Sequence, residues 1–214
     1  MHVQKFTFNP FQENTYVLHA AGEGLLVDPG CADRHEQHEL EQWLEAHGVR
    51  PVRLLLTHGH IDHVLGCAWA KDRYGLLPEV HAHDLQLLQM APASGALFGV
   101  HCNPVPAPER LLTEGQVITL GDEHLDVLFV PGHAPGHVAF FHPKQRFLLG
   151  GDVLFHRSIG RTDLPGGDMD TLLKSIREQL YPLGDDVVVH PGHGPETTIG
   201  EERRENPFVR QAHQ

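Results

Sequence analysis

A strongly apolar strand is followed at once by a run of polar side chains, and this feature limits the possible folds more than any other. Leu54–Leu56 lead into Thr57–Gly66, whose letters are THGHIDHVLG. Imidazole and carboxylate groups compete with packing when they are buried without partners. The loop must therefore be solvated, or it must bind something.

The same succession of strand and polar residue recurs three times further along the chain. LDVLFVPG leads into His133, RFLLGG into Asp152 and DVVVHPG into His193. In α/β sheets, ligand sites form in the loops at one edge, where the strand ends converge. Nitrogen and carboxylate ligands without thiolate suit zinc, iron or manganese. The residues predicted to bind two divalent metal ions are His58, His60, Asp62, His63, His133, Asp152 and His193.

Short strands and helices alternate along the chain, which predicts an α/β fold. A helix is predicted over residues 33–47, with Asp33 and Glu36 as a capping box. The second half of the chain repeats the plan of the first in outline. We therefore expect two sheets with helices outside them, in a single domain over residues 1–214.

Four further segments are predicted to be helical, over residues 63–75, 84–91, 168–184 and 196–206. The segment 168–184 is amphipathic, because apolar residues recur on one stripe of it. Residues 91–110 contain four of the prolines and are predicted to be irregular, as a flap over a site.

Composition excludes several classes of partner. The formal net charge is −12, from 28 acidic and 16 basic side chains, whereas nucleic acids and anionic membranes attract basic patches. Three cysteines without a C-x-x-C pair argue against a disulfide framework and for a reducing compartment. The first residues do not resemble a secretory signal, and no apolar run is long enough to span a membrane. A cytoplasmic protein with no nucleic-acid or membrane partner is expected.

Four motifs together resemble those of the metallo-β-lactamase-fold hydrolases and occur in the same order. They are T-H-x-H-x-D-H at Thr57–His63, PGH at Pro131–His133, GGD at Gly150–Asp152 and PGH at Pro191–His193. The segments DPG, PGHAPGH and HPGHGPETTIGEERRENPF are most similar to the short bacterial glyoxalase II-like branch. The resemblance covers most of the chain. It implies an αββα sandwich of two mixed β-sheets flanked by helices, with a dinuclear metal site at one edge of the sheets.

The resemblance also implies a role for each ligand. One metal would be held by His58, His60 and His133, the other by Asp62, His63 and His193, and Asp152 would bridge the two. Two divalent ions are the expected cofactors, zinc first, with iron and manganese as alternatives, because availability does much of the choosing between metals at such a site.

A dinuclear site of this kind predicts a hydrolase. A metal-bridging hydroxide would attack an acyl carbonyl, and one metal would stabilise the developing oxyanion. A thiolate leaves readily, so the predicted substrate is a small-molecule thioester such as an acylglutathione. Asp62 is the predicted catalytic residue among the ligands. Asp28 is predicted to orient the metal-binding imidazoles, with a simple turn role in DPG as the alternative.

The choice of thiol carrier is less well defined by the sequence. Glyoxalase II carries a C-terminal helical extension that helps to hold glutathione, and this chain ends about where that part would begin. Arg161 matches a basic residue of the glutathione hydrolases, whereas Asp163 replaces an aromatic neighbour. Arg161 is predicted to bind substrate through a carboxylate, and a salt bridge that pins the loop is the alternative.

Several other functions remain open. GRTD also occurs in the related persulfide dioxygenases, mononuclear iron enzymes that would use only His58, His133 and Asp152, whereas His193 favours a dinuclear hydrolase. A lactone, β-lactam or other ester is a further substrate class, because a fold alone does not set the substrate. A nuclease and a non-enzymatic metal-binding protein complete the alternatives. The sequence does not indicate an oligomeric state.

Overall fold

The structure, a computed structural model, describes residues 1–209. Its first sheet has six strands in sequence order. The first three strands pair antiparallel and the last three continue the sheet in parallel, so the sheet is mixed. The strands are β1 (His2–Phe8), β2 (Glu13–Ala20), β3 (Glu23–Val27), β4 (Arg50–Leu55), β5 (Pro78–His81) and β6 (Arg110–Leu112).

A second mixed sheet of six strands follows, in the order β14-β13-β10-β9-β8-β7. The pair β10–β13 is parallel, and its neighbours on both sides are antiparallel. The strands β11 (Leu154–Phe155) and β12 (Ser158–Ile159) form a separate ribbon. The sheet consists of β7 (Val117–Leu120), β8 (Glu123–Phe129), β9 (Val138–His142), β10 (Phe147–Gly151), β13 (Val188–Pro191) and β14 (Thr197–Thr198).

Five α-helices accompany the strands in the described part of the chain. At the start of the first helix, Asp33 accepts hydrogen bonds from the backbone N–H groups of His35 and Glu36, as a capping residue does. The helices are α1 (Arg34–Ala46), α2 (Cys67–Tyr74), α3 (Leu85–Phe98), α4 (Met169–Ser175) and α5 (Ile199–Glu205). None of the helices within residues 1–209 combines the length and the apolar character that a membrane span requires.

The chain divides into two compact units, each with its own apolar core. The first comprises residues 1–112 and 119–124, and the second comprises residues 113–118 and those from 125 onward. Leu26, Leu54 and Leu56 are fully buried in the first core, and many other apolar side chains pack with them. The second core includes Leu148, Leu172, Ile176 and Val189. The single domain over residues 1–214 stays a prediction, and residues 210–214 lie outside the described part.

The prediction of an irregular segment over residues 91–110 is wrong for its first part. Helix α3 continues through Pro92 to Phe98 and ends at Gly99, whose φ is 71°. Pro92 cannot donate a backbone hydrogen bond, but Ala91 and Gly95 are buried on the same helix. Packing against the core therefore outweighs the missing bond, which local reading of the prolines could not show.

Two other local predictions need correction. Glu36 does not complete the capping box, because its carboxylate accepts hydrogen bonds from the backbone N–H groups of Asn9 and Ala32. The predicted helix over residues 63–75 begins only at Cys67, and a 3₁₀ turn over Ile61–His63 precedes it. The helix predicted over 168–184 is α-helical to Ser175 and then continues as a π turn and a 3₁₀ turn ahead of Gly184.

Candidate metal centre

The loop after β4 brings four predicted ligands of the first unit close together. The ring centroid of His58 lies 4.8 Å from that of His60 and 4.1 Å from that of His63. His58 and His63 are fully buried. Asp62 belongs to the 3₁₀ turn Ile61–His63, which places its carboxylate beside the His63 ring.

The spacing of ligand atoms in this loop fits a shared metal ion. His63 Nε2 lies 3.6 Å from Asp62 Oδ2. Atoms bound at about 2.0–2.1 Å to a tetrahedral metal stand about 3.4 Å apart. The separation is therefore the one that two ligands of a single ion adopt.

Asp28 lies behind the loop, at the end of β3. Its carboxylate accepts hydrogen bonds from the backbone N–H of Thr57 at 2.7 Å and from the Thr57 hydroxyl at 2.6 Å. Its Oδ2 is also 3.1 Å from His63 Nδ1. Both oxygens of Asp28 are thus engaged by loop groups, and the contact with Nδ1 leaves Nε2 as the His63 nitrogen for a metal.

Thr57 extends the same arrangement to His58. The Thr57 hydroxyl donates its hydrogen to Asp28, so it can only accept from His58 Nδ1, which is 3.0 Å away. This contact fixes His58 in the tautomer whose Nε2 carries the lone pair. Asp28 and Thr57 together therefore leave Nε2 of both His58 and His63 as the nitrogen for a metal.

A set of buried polar residues beneath the loop was missed by the sequence analysis. Asn9 donates from Nδ2 to the carbonyl oxygens of Gly30 and Asp62, each at 3.0 Å. Thr15 Oγ1 accepts from the Gly30 N–H, and its hydroxyl lies 2.9 Å from Glu13 Oε2. Asn9 precedes Gly30 and Asp62, and Thr15 precedes Gly30, by at least 15 positions in the sequence.

Glu13 is the most unusual member of this set. It is fully buried and its Oε1 lies 3.8 Å from His63 Nδ1. Burial raises the pKa of the Glu13 carboxyl well above its usual value, because the charged form is desolvated. No sequence signal marked this residue, since it sits in a strand that reads as ordinary.

Asp84 holds the other end of the loop. It is fully buried just before α3, and its Oδ2 accepts a hydrogen bond of 2.8 Å from the backbone N–H of Gly59. Gly59 lies between His58 and His60 in the sequence. The carboxylate therefore fixes the backbone that carries both of these imidazoles, and the sequence analysis did not identify it.

The second unit brings together the other three predicted ligands. Asp152 Oδ2 lies 3.5 Å from His133 Nε2 and 3.5 Å from His193 Nε2. Both separations match two ligands of one ion, by the same geometry as in the first unit. One carboxylate oxygen thus lies equally close to two imidazole nitrogens, which fits the bridging role that the sequence predicts for Asp152.

Backbone contacts fix the orientation of this second set. His133 Nδ1 lies 2.7 Å from the Arg161 carbonyl oxygen, which directs Nε2 of the same ring toward Asp152. His137 Nε2 accepts a 3.0 Å hydrogen bond from the backbone N–H of Asp152. His137 therefore supports the loop that carries Asp152. His190, by contrast, pairs with Glu196, since its Nδ1 lies 3.0 Å from Glu196 Oε1.

The turn that carries His133 is packed directly against a helix. Gly132 has a φ of 130°, and a Cβ atom there would lie closer than 3.0 Å to the backbone nitrogen of Leu172 in α4. The Ser175 hydroxyl donates to the Pro131 carbonyl at 2.7 Å, and the Asp168 N–H donates to the Gly132 carbonyl at 2.8 Å. Helix α4 and its capping residue Asp168 thereby hold the PGH turn at Pro131 and Gly132.

Arg161 lies at the edge of this second set, with its side chain largely exposed. Its guanidinium makes two hydrogen bonds of 2.7 Å to the Asp163 carboxylate. This pairing lowers the pKa of Asp163 to about 2. Arg161 thus contacts His133 through its backbone carbonyl, whereas its guanidinium pairs with Asp163.

The chain belongs to the metallo-β-lactamase superfamily, whose family model matches residues 8–193. It is 36% identical over 208 residues to a probable metallo-hydrolase, YqgX, of Bacillus subtilis, with 96% of each chain covered. It is also 36% identical over 212 residues to the hydroxyacylglutathione hydrolase GloC of Haemophilus influenzae, with 98% of each covered. These relatives confirm the predicted family and show a metallo-hydrolase.

Solved structures give the same result for the fold. The chain is similar to TTHA1623 in a di-iron-bound form, with 40% identity, a TM-score of 0.87 and coverage of 97% of this chain and 100% of that one. It is also similar to the B3 metallo-β-lactamase BLEG-1, with 36% identity, a TM-score of 0.86 and coverage of 97% and 99%. The predicted fold class, with two mixed sheets flanked by helices, is confirmed.

Proposed function

We propose that this protein is a dinuclear metal-dependent hydrolase of thioesters, with an acylglutathione as the model substrate. The observation that carries the proposal is the ligand spacing, since three pairs of donor atoms stand 3.5–3.6 Å apart in the two sets. The proposed ligands follow the order of the family motifs. The residues are His58, His60, Asp62, His63, His133, Asp152 and His193.

The donor chemistry supports hard or borderline divalent ions. The three cysteines are buried, and the clusters of possible metal ligands among the described residues contain only histidine, aspartate and glutamate. Imidazole and carboxylate suit zinc, iron and manganese. We propose zinc first, with iron as the alternative that the di-iron form of the similar TTHA1623 suggests.

Bound divalent ions would supply an activated water near pH 7 and a Lewis acid for the acyl carbonyl. The residues of this chain would then hold the ions and orient the metal-binding imidazole rings. Asp28 and Thr57 fix the His63 and His58 rings, and the Arg161 carbonyl fixes that of His133. A thiolate leaves with little need of a general acid, so a thioester suits a metal centre built from histidines and aspartates. The similarity to a hydroxyacylglutathione hydrolase supports the same choice.

The direct test is thiol release from S-lactoylglutathione by protein of known metal content. Wild-type protein with two metal ions per chain should turn over, and Asp62→Ala or His193→Ala should lower kcat/KM by more than about 100-fold, since loss of even an outer partner costs about 10–100-fold. A chelator should remove the activity, and added metal should restore it. Asp72→Ala and His35→Ala, both at exposed positions, are the matched controls and should leave turnover unchanged.

Other results would point to other functions. Fully loaded protein that releases no thiol from this or other acyl thioesters would contradict the proposal. Hydrolysis of a β-lactam in that case would favour the activity named for the similar BLEG-1 structure. Oxygen uptake with a persulfide by iron-loaded protein would instead favour the dioxygenase.

Arg161 offers a separate prediction about substrate binding. If its guanidinium holds a carboxylate of the thiol carrier, it must exchange Asp163 for the substrate. Arg161→Ala should then raise KM for S-lactoylglutathione about 10-fold, the loss of one charge-assisted pair. It should leave kcat nearly unchanged, because His133 contacts only the backbone carbonyl of Arg161. Steady-state kinetics measure both constants.

A matched variant separates this role from a salt bridge that pins the loop. Asp163→Ala breaks the same ion pair but keeps the guanidinium available. KM should stay the same or fall in that variant. An equal rise of KM in both variants would show that the ion pair only fixes the loop.

A further inference from the structure

Asn9 directly follows β1 and is almost wholly buried, with 5% of its surface exposed. Its φ is 54°, in the left-handed region that asparagine tolerates better than most residues. Its backbone N–H donates to Glu36 Oε1 at 2.6 Å, and its Oδ1 accepts from the backbone N–H of Phe11 at 3.0 Å. The residue is therefore fixed from the α1 side and from its own turn.

The Asn9 amide joins two parts of the candidate metal centre. Its Nδ2 donates to the carbonyl oxygen of Gly30, in the DPG turn, and to that of Asp62, in the ligand loop. Gly30 has to be glycine for this approach, because a Cβ there would lie within 3.0 Å of Asn9 Nδ2 and of the Asp62 carbonyl oxygen. The Asn9 side chain therefore links the backbone of the DPG turn to the backbone of the ligand loop.

This contact bears on only one end of the ligand loop. The Asn9 hydrogen bond fixes the backbone of Asp62, to which His63 is adjacent. At the other end, Asp84 binds the backbone N–H of Gly59, between His58 and His60. Two buried polar side chains thus hold the two ends of the loop separately. A change at one of them can alter one pair of ligands and leave the other in place.

We propose that Asn9 is a positioning residue that sets the Asp62–His63 ligand pair through the Asp62 backbone carbonyl. It acts through Asp62 and touches neither substrate nor metal. The proposal rests on the proposed metal centre, but it predicts a selective change in metal affinity. A residue that only stabilises the fold would not produce such a change.

The test measures Zn²⁺ binding to the full chain by equilibrium dialysis. Asn9→Gly keeps the positive φ without strain and removes the side chain with its bonds to Gly30, Asp62 and Phe11. Wild-type protein should bind two Zn²⁺ ions, and Asn9→Gly should weaken one of them about 10–100-fold, as loss of an outer partner does. The second should keep its affinity. Asn9→Asp, which replaces the donor by an oxygen facing two carbonyl oxygens, should act in the same direction.

Two backgrounds identify which ion is affected. With His58→Ala and His60→Ala together, the remaining Zn²⁺ should be bound through the Asp62–His63 pair, and adding Asn9→Gly should weaken it about 10–100-fold. With Asp62→Ala and His63→Ala together, the remaining ion should be bound through the His58–His60 pair, and adding Asn9→Gly should change its affinity less than about twofold. Asp84→Ala should show the opposite preference between the two backgrounds.

Asn206→Ala controls for simple loss of a buried amide. Asn206 is fully buried in the second unit, and its Nδ2 donates to the Ser158 carbonyl and to Glu202. It should lower Tm and leave both Zn²⁺ affinities unchanged. Two Zn²⁺ ions weakened equally by Asn9→Gly, or a lower Tm with normal binding, would overturn the positioning role alone. A wild-type chain that binds fewer than two ions would overturn the metal centre as well.

Discussion

Asp152→Ala is expected to lower thioester hydrolysis by more than about 1,000-fold, well beyond the roughly 10–100-fold cost of losing a residue that only orients a ligand. Asp152 Oδ2 stands 3.5 Å from the Nε2 atoms of both His133 and His193. Its removal therefore takes a ligand from both proposed metal positions. The measurements are kcat/KM on S-lactoylglutathione and metal content per chain, which should fall below two.

The fold of the Asp152→Ala variant should survive. The contact that fixes this loop is made by the Asp152 backbone N–H, which donates to His137 Nε2 and does not depend on the side chain. Asp152→Asn keeps a neutral oxygen and should retain more metal than the alanine variant. Asp170→Ala, at an exposed position of the same unit, is the matched control. Retention of both metal ions and of most activity by Asp152→Ala would rule out a bridging role.

The predicted ligand positions rest on a local pattern in the sequence. A buried apolar strand, a Gly or Pro turn and a histidine or aspartate lie within a few residues of one another in the segments that end at His133, Asp152 and His193. The fold class is likewise a sum of local elements, and it was confirmed. Local order in the sequence was enough for the fold class, and the ligand positions stay a prediction based on where α/β folds place ligand sites.

Asp28 was predicted as a supporting residue, but Asn9, Glu13 and Asp84 were not, because their partners are far away in the sequence. Asn9 bonds to Asp62 across 53 positions, and Asp84 bonds to Gly59 across 25. Glu13 lies in a strand buried along most of its length, so no alternation of polar and apolar residues marks it. A buried polar group takes its meaning from its partners, and only the structure supplies these.

The misread segments have the same origin. Pro92 signals a break by its own chemistry, but the burial of Ala91 and Gly95 keeps α3 intact beyond it. Glu36 has the spacing of a capping box, yet the nearby backbone N–H groups of Asn9 and Ala32 take its carboxylate. In each case, contacts with residues outside the segment determined the structure, and the local preference of the sequence did not.

Gly132→Ala is expected to destabilise the protein and to weaken the His133 metal position at the same time. Gly132 has a φ of 130°, which L side chains rarely adopt, and a new Cβ would lie within 3.0 Å of the Leu172 backbone nitrogen and Cα. The strained backbone and the clash together should lower the free energy of unfolding by about 3 kcal/mol or more. Urea unfolding of the metal-depleted chain measures this change.

Gly115→Ala separates strain from clash. Gly115 also has a positive φ, of 74°, but a Cβ there would meet no atom within 4 Å. It should cost only about 1 kcal/mol, the usual penalty for a left-handed alanine, and should leave metal binding unchanged. The excess loss in Gly132→Ala then measures the close packing of α4 on the PGH turn. Equal losses in the two variants, with normal metal binding in both, would show that this packing does not hold His133 in place.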